Sequence, residues 1–459
     1  MTELRRLLLT TAERAADYRE ALGEARVFPE ASVDELRKGF AGPTPAGPSS
    51  AGAVIDALVD AAAPGLVATA GPRYFGFVVG GSLDAATAAD VLTTGWDQVA
   101  FNAVSSPAAA VAEEVVGAWL KDLLRLPERA SYGLVSGGQA ANTVALAAAR
   151  HHVLRQARWD VERDGLIGGP PVRVVASVER HATIDRSLRL LGFGSAIVEP
   201  VRADAQGAID VDDLAAVLDA GPTAPTIVCL QAGNVNSGAF DDLAAGVDIA
   251  HGHGAWVHVD GAFGLWAAAS DTTRHLVDGL ERADSWACDG HKWLNVPYDS
   301  GYAFCAHPES HAAAMALTAA YLVPGAATLR DPMAFVTESS RRARGFATWA
   351  ALRELGRTGV ADLVERGCRL ARRFAEGLSA VEGIDVVNDV VLNQVLVRFG
   401  DDERTARVIA DVQRGGVCWM GGTTWHGMHL MRISVSNWST TEADVDRSLE
   451  AILTAATPT

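Results

Sequence analysis

Lys292 is one of three lysines in a 459-residue chain whose 39 basic residues are otherwise arginine, and it stands in the run Asp289-Gly290-His291-Lys292-Trp293. Arginine stays protonated, whereas a buried lysine can lose its proton and attack a carbonyl as a neutral amine. Lys38 and Lys121 sit in charged amphipathic stretches typical of solvated helix faces. Lys292 lies instead between an apolar run and a Trp-Leu pair, a setting that favours a Schiff-base lysine over a structural one.

Three further signals accompany it. Ser136-Gly137-Gly138-Gln139 opens a helical run, and glycines at the mouth of a helix let backbone N–H groups approach an anion, for which phosphate is the natural guest. The loop has neither the Lys-Ser/Thr of a Walker motif nor a GxGxxG pattern. Val257-His258-Val259-Asp260 ends a buried strand on an acid, which needs a cationic partner or a hydrogen-bond network. A bound pyridinium nitrogen would satisfy it, and so would loop N–H groups. In Ser177–Thr183 the imidazole of His181 follows a strand, where stacking on a planar cofactor competes with a structural role. His251, His253, His258 and Asp260 could suggest a metal, but the glycines around the first two read as a helix terminus, and no metal is expected. A phosphate cradle, a stacking histidine, an acid and a lysine, in that order, describe one molecule: a phosphorylated pyridine aldehyde held as an aldimine.

These residues need a frame. Short β-rich runs at 172–178, 226–230, 255–259, 285–288 and 301–305 alternate with helical stretches, which implies an α/β fold with a mostly parallel sheet. Ligands of such sheets sit beyond the carboxyl ends of the strands. Residues 1–60 read as an arm or dimerisation segment, 61–310 as the large domain, and 311–459 as a small C-terminal α+β domain. Within the last, helices are expected at 340–355, 360–378 and 442–454, and strands near 391–399 and 430–435. A net charge of −17 argues against nucleic-acid and anionic-membrane partners. The start lacks the pattern of a secretory leader, no apolar run reaches a membrane span, and the expected location is cytoplasmic. Five scattered cysteines read as buried free thiols.

Several motifs extend the pattern: Gly71-Pro72-Arg73-Tyr74-Phe75-Gly76-Phe77, Ser106-Pro107-Ala108, Ser136-Gly137-Gly138, His181-Ala182-Thr183, Gly238-Ala239-Phe240-Asp241, His258-Val259-Asp260-Gly261-Ala262 and Asp289-Gly290-His291-Lys292-Trp293-Leu294. On these the chain, from about Pro72 to Ile452, resembles the group II pyridoxal-phosphate-dependent amino-acid decarboxylases, of the aspartate-aminotransferase fold, fold type I. The resemblance implies a seven-stranded-type sheet and pyridoxal 5'-phosphate as cofactor, in aldimine linkage to Lys292. It implies that Asp260 pairs the pyridine nitrogen, His181 stacks on the ring, Ala262 packs near its other face, and Gly137, Gly138 and Gln139 hold the phosphate beside His291. It further implies an amino-acid substrate, decarboxylation through a quinonoid, and a homodimer with shared active sites.

The chain departs from the family pattern in the loop aligned with 324–337. That loop holds neither tyrosine nor histidine where the family usually carries a proton-donating tyrosine, and Tyr321 is the nearest phenol. An aminotransferase, aldolase or oxidative deaminase is therefore the alternative. Tyr74, Phe77 and Phe101 are candidates for an apolar substrate pocket, and Arg432 for the α-carboxylate; each has an equally good structural explanation. Arg73 and Arg341 are further candidates for a side-chain carboxylate.

Overall fold

The computed structural model describes residues 1–317 and 329–457. The chain divides into two compact units, one of residues 82–372 with 388–395, the other of 1–81 with 373–387 and 396–459. The larger unit is built on seven strands: β1 (Ser131–Val135), β2 (Arg173–Ser177), β3 (Val198–Val201), β4 (Thr226–Gln231), β5 (Trp256–Asp260), β6 (Ser285–Asp289) and β7 (Gly301–Cys305). Their order is β1-β7-β6-β5-β4-β2-β3, and β7 alone runs against the others. Except for edge strand β3, every strand is buried throughout, as a sheet covered on both faces requires.

Five of these strands lie within two residues of the expected runs. β1 and β3 escaped because Ser131 and Gly133 dilute the first, and Pro200 interrupts the second, which tolerates proline because it is an edge. Residues 311–372, expected with the small domain, cluster with the larger unit. The buried ion pair of Arg341 with Glu113 (2.7 Å) fastens this stretch to helix Pro107–Leu123. Arg341 also donates to the carbonyls of Ala100 and Leu134, so it is a structural residue rather than a substrate clamp.

His311 fastens the same stretch. Its Nδ1 meets Ser131 Oγ and its Nε2 meets Phe335 O, each at 2.9 Å. Burial, helped by Arg330, pushes the imidazole down to about 3. Unfolding lets it protonate near the ordinary histidine value, so its contribution to stability is complete above that value and is lost as pH falls from about 6.5 toward 3. We expect His311→Gln to flatten this part of the stability–pH curve, read as denaturation midpoints compared with the parent chain.

In the smaller unit, helices Glu3–Ala21, Val33–Phe40 and Ala51–Ala62 occupy the expected arm. The Pro/Gly/Ser stretch between the last two ends on Ser50, whose hydroxyl caps the third helix by accepting from Ala53 N–H. Arg73, 1% exposed, donates to the carbonyls of Gly23, Ala25 and Val417, so it too is structural. A second sheet has the order β10-β11-β9-β8, with β8 (Asp385–Val386), β9 (Gln394–Arg398), β10 (Gly421–Trp425) and β11 (Met428–Ser434). The two expected helices at 340–378 form one helical stretch, Gly345–Ser379, most of which belongs to the larger unit, and it is broken at Gly356 by a left-handed backbone (φ 58°). All five cysteines are buried and free. Among the described residues no helix is long and apolar enough to cross a membrane.

Candidate active site

β1, β2, β4, β5 and β6 share a direction, so residues just past them meet at one edge of the sheet. β7 runs the other way, which brings its first residue, Gly301, to the same edge. A Cβ at Gly301 would lie 2.4 Å from the Gly137 Cα, so the glycine is what lets β7 pass the turn before helix Gly138–Gln156. Gly301→Ala must displace backbone on both sides. We expect it to cost about 1–3 kcal/mol, read as a lower denaturation midpoint together with weaker cofactor retention.

A cleft of about 530 Å³ opens at this edge, lined by Ser136, Gly138, Gln139, Asp289, His291 and Lys292 among others. Lys292 Nζ lies 3.0 Å from Asp289 Oδ2. Asp289, 2% exposed, also accepts the Gly138 backbone N–H and lies 3.4 Å from His291 Nε2. The opening of helix Gly138–Gln156 thus already draws in one anion of the chain itself, as the unpaired N–H groups and dipole of a helix start favour. His291 Nδ1 accepts the Ser300 N–H at 3.1 Å, and Tyr298 stacks on the imidazole at 4.4 Å. Burial pushes His291 below the usual imidazole range, with Asp289 opposing.

On the other side, Asp260 is 6% exposed. Its Oδ2 accepts from Asn142 Nδ2 (3.0 Å) and Thr183 Oγ1 (3.4 Å), and its Oδ1 from the Ala262 N–H (3.3 Å). His181 caps helix Ala182–Leu190, its Nδ1 lying 2.8 Å from Thr183 Oγ1. Thr183 therefore ties His181 to Asp260. The side chain of Gln139 is committed to Ser187 Oγ (2.9 Å) and Thr183 O (3.4 Å), leaving its backbone N–H as its contribution to the helix opening.

Lys292, His291, Gly137, Gly138 and Gln139 line one cleft, while Asp260, Ala262 and His181 form a second, hydrogen-bonded set at the same sheet edge. The Cβ of Ala262 joins the two sets, since a Cβ at Gly138 would lie 3.4 Å from it. Tyr74 and Phe77 belong to the smaller unit, where both rings pack on Trp419 (centroids 5.0 and 5.4 Å). Arg432 lies on β11, in register with Gly421 of β10. Phe101 is half-buried, and its carbonyl accepts the Met333 N–H. Tyr321 lies outside the described residues. Two further residues of the site, Asp289 of the Asp289–Trp293 run and Asn142 of the helical run after Gln139, were not expected from the sequence; a polar Asn in an otherwise apolar helical run was the available signal.

The cleft suits pyridoxal phosphate. A Cβ at Gly137 would lie 2.8 Å from His291 Cε1, and one at Gly138 would lie 2.8 Å from Asp289 Oδ2, so the helix opening stays clear only because both residues are glycine. Backbone donors at a helix start, a buried carboxylate and a lysine amine supply partners for the phosphate, the ring nitrogen and the aldehyde of that molecule. A model of the pyridoxal-dependent decarboxylase conserved domain matches residues 35–399. The chain belongs to that family. Membership carries the activity class, pyridoxal-phosphate-dependent amino-acid decarboxylation, and the alternative of an aminotransferase, aldolase or oxidative deaminase is not favoured.

Among curated relatives, an L-2,4-diaminobutyrate decarboxylase of Rhizobium meliloti is 30% identical over 76% of this chain and 70% of its own length. An aromatic-L-amino-acid decarboxylase of Bacillus atrophaeus is 28% identical over 61% of this chain, and the match spans 58% of that enzyme. In fold the chain is similar to the Oryza sativa TDC solved with PLP and tryptamine, with a TM-score of 0.91, 24% identity, and coverage of 99% of this chain and 97% of that one.

Proposed function

We propose that this chain removes the α-carboxylate of an aromatic L-amino acid. The observation that carries the site reading is the Lys292 amine in a glycine-cleared cleft, at the sheet edge where Asp260 ends β5. When bound, pyridoxal phosphate supplies an aldehyde carbon and an electron-withdrawing ring that stabilises the electron pair left when the Cα–carboxylate bond breaks. Lys292 would hold the cofactor through its side-chain amine. Asp289 Oδ2, at 3.0 Å, is the acceptor within reach for the proton that the Lys292 amine must lose before it attacks. Asp260 would pair the ring nitrogen. His181 would stack on the ring, with Ala262 near it. The backbone N–H groups of Gly137, Gly138 and Gln139 would hold the phosphate with His291.

The aromatic preference is supported by relatives named aromatic-L-amino-acid, tryptophan and tyrosine decarboxylases. Phe101, in the same unit as Lys292, is the aromatic side chain we propose for the substrate pocket. The test is a panel of tryptophan, tyrosine, phenylalanine, 2,4-diaminobutyrate and cysteine sulfinate, with the product amine identified by mass. Turnover led by an aromatic substrate supports the reading; a chain that acts only on 2,4-diaminobutyrate contradicts it.

The working form we propose is a cytoplasmic homodimer with shared active sites, to which residues 1–60 contribute. Exposed Leu4, Leu8 and Leu9 on the first helix, and Val54 and Leu58 on the third, offer apolar surface for a second copy. A solution mass at twice 48.1 kDa is expected.

A further inference from the structure

Behind Asp260 runs a line of buried hydrogen bonds that the reaction as described does not use. Trp256 Nε1 donates to Ser285 Oγ (3.0 Å), Ser285 Oγ meets His258 Nδ1 (3.0 Å), and His258 Nε2 meets Asn142 Oδ1 (2.9 Å). Asn142 Nδ2 then donates to Asp260 Oδ2 (3.0 Å) and to Thr183 Oγ1 (3.1 Å). Asn142, His258 and Ser285 are all 0% exposed. The two-residue periodicity of β5 makes this possible, because Trp256, His258 and Asp260 share the sheet face on which helix Gly138–Gln156 lies.

The polarity of the line follows from which groups can only donate or only accept. An indole N–H only donates, so Ser285 Oγ accepts from Trp256 and has its own proton for His258 Nδ1. A carboxylate only accepts, so the amide of Asn142 turns its NH₂ to Asp260 and its oxygen to His258. His258 must then carry its hydrogen on Nε2. Burial pushes this imidazole down to about 4, so near neutral pH it holds a single ring hydrogen, as the line needs. Every donor points toward Asp260. Turning the amide of Asn142 over would set its oxygen against the carboxylate and its NH₂ against a ring N–H.

We propose that Asn142, oriented by His258 and Ser285, is a positioning residue that holds Asp260 as the charged partner of the cofactor's ring nitrogen. This rests on the reading of Asp260 given above. Asn142→Leu keeps the volume close and removes the donor. In chain reconstituted with cofactor labelled with ¹⁵N in the ring, its nitrogen resonance is expected to move toward the unprotonated position. The cofactor dissociation constant should rise about ten- to a hundredfold, the size of one hydrogen bond to a charged group. kcat should fall by a similar factor while KM stays near its original value. Ser285→Ala, one oxygen smaller, should move the resonance the same way by less, and it serves as the readout where Asn142→Leu does not fold. An unshifted nitrogen in folded Asn142→Leu, or in Ser285→Ala where that variant is the readout, overturns the relay.

Asp260→Asn separates the two levels of the argument. A resonance that shifts there, but not in the relay variants, removes the relay alone. A resonance unchanged in Asp260→Asn removes the reading of Asp260, and the relay with it.

Discussion

Lys292→Ala is expected to lower turnover by at least on the order of 10⁴, the scale seen when a covalent-catalysis residue is removed, and to yield protein whose cofactor is lost on dialysis. The physical reason is specific to the side chain. Lys292 is the lysine of the cleft, its Nζ 3.0 Å from Asp289 Oδ2 at the mouth of helix Gly138–Gln156. Lys292→Arg should fail just as badly, because a guanidinium keeps its proton and forms no Schiff base. Borohydride reduction followed by peptide mass checks both: the parent chain should carry a reduced cofactor adduct on the peptide containing Lys292, and neither variant should carry one. Covalent adduct on Lys38 or Lys121 in the parent would contradict the assignment.

Asp260→Asn should be the next most damaging change, lowering kcat by about 10²–10³, as removal of one preorganised electrostatic contact does. Asparagine matches the shape but withdraws the charge, and its NH₂ must face a donor whichever way it turns, either Asn142 Nδ2 at the Oδ2 position or the Ala262 N–H at the Oδ1 position. The buried line behind it would then end on a group offering too few acceptors. Weaker cofactor binding, followed by fluorescence titration, should accompany the loss of rate. Unchanged cofactor affinity and rate in Asp260→Asn would contradict the role given to it.

What the sequence revealed in advance follows from what is local. Buried parallel strands such as β4, β5 and β6 announce themselves as continuous apolar runs, and their carboxyl ends place Asp260 and Asp289 without knowledge of the rest of the sheet. β3 did not announce itself, because an edge strand can carry Glu199 and Pro200. Arg341 was misread for a different reason. An arginine in a charged run looks exposed, and only its ion pair with Glu113, 228 positions earlier in the chain (341 − 113), shows that it is interior. Asn142 met the same obstacle, since its role depends on His258 and Asp260, which reach it only through the sheet. Side chains whose meaning lies in distant partners stay silent in the sequence.

The central claim is that this chain releases the α-carboxylate of an amino acid through the Lys292 site. Its most direct test is the stoichiometry of carbon dioxide and amine formed from an aromatic L-amino acid, with pyridoxal phosphate added and no keto acid present. One carbon dioxide and one amine per amino acid consumed, absent in Lys292→Ala, is the predicted result. Consumption without carbon dioxide, restored only by a keto-acid acceptor, would contradict it.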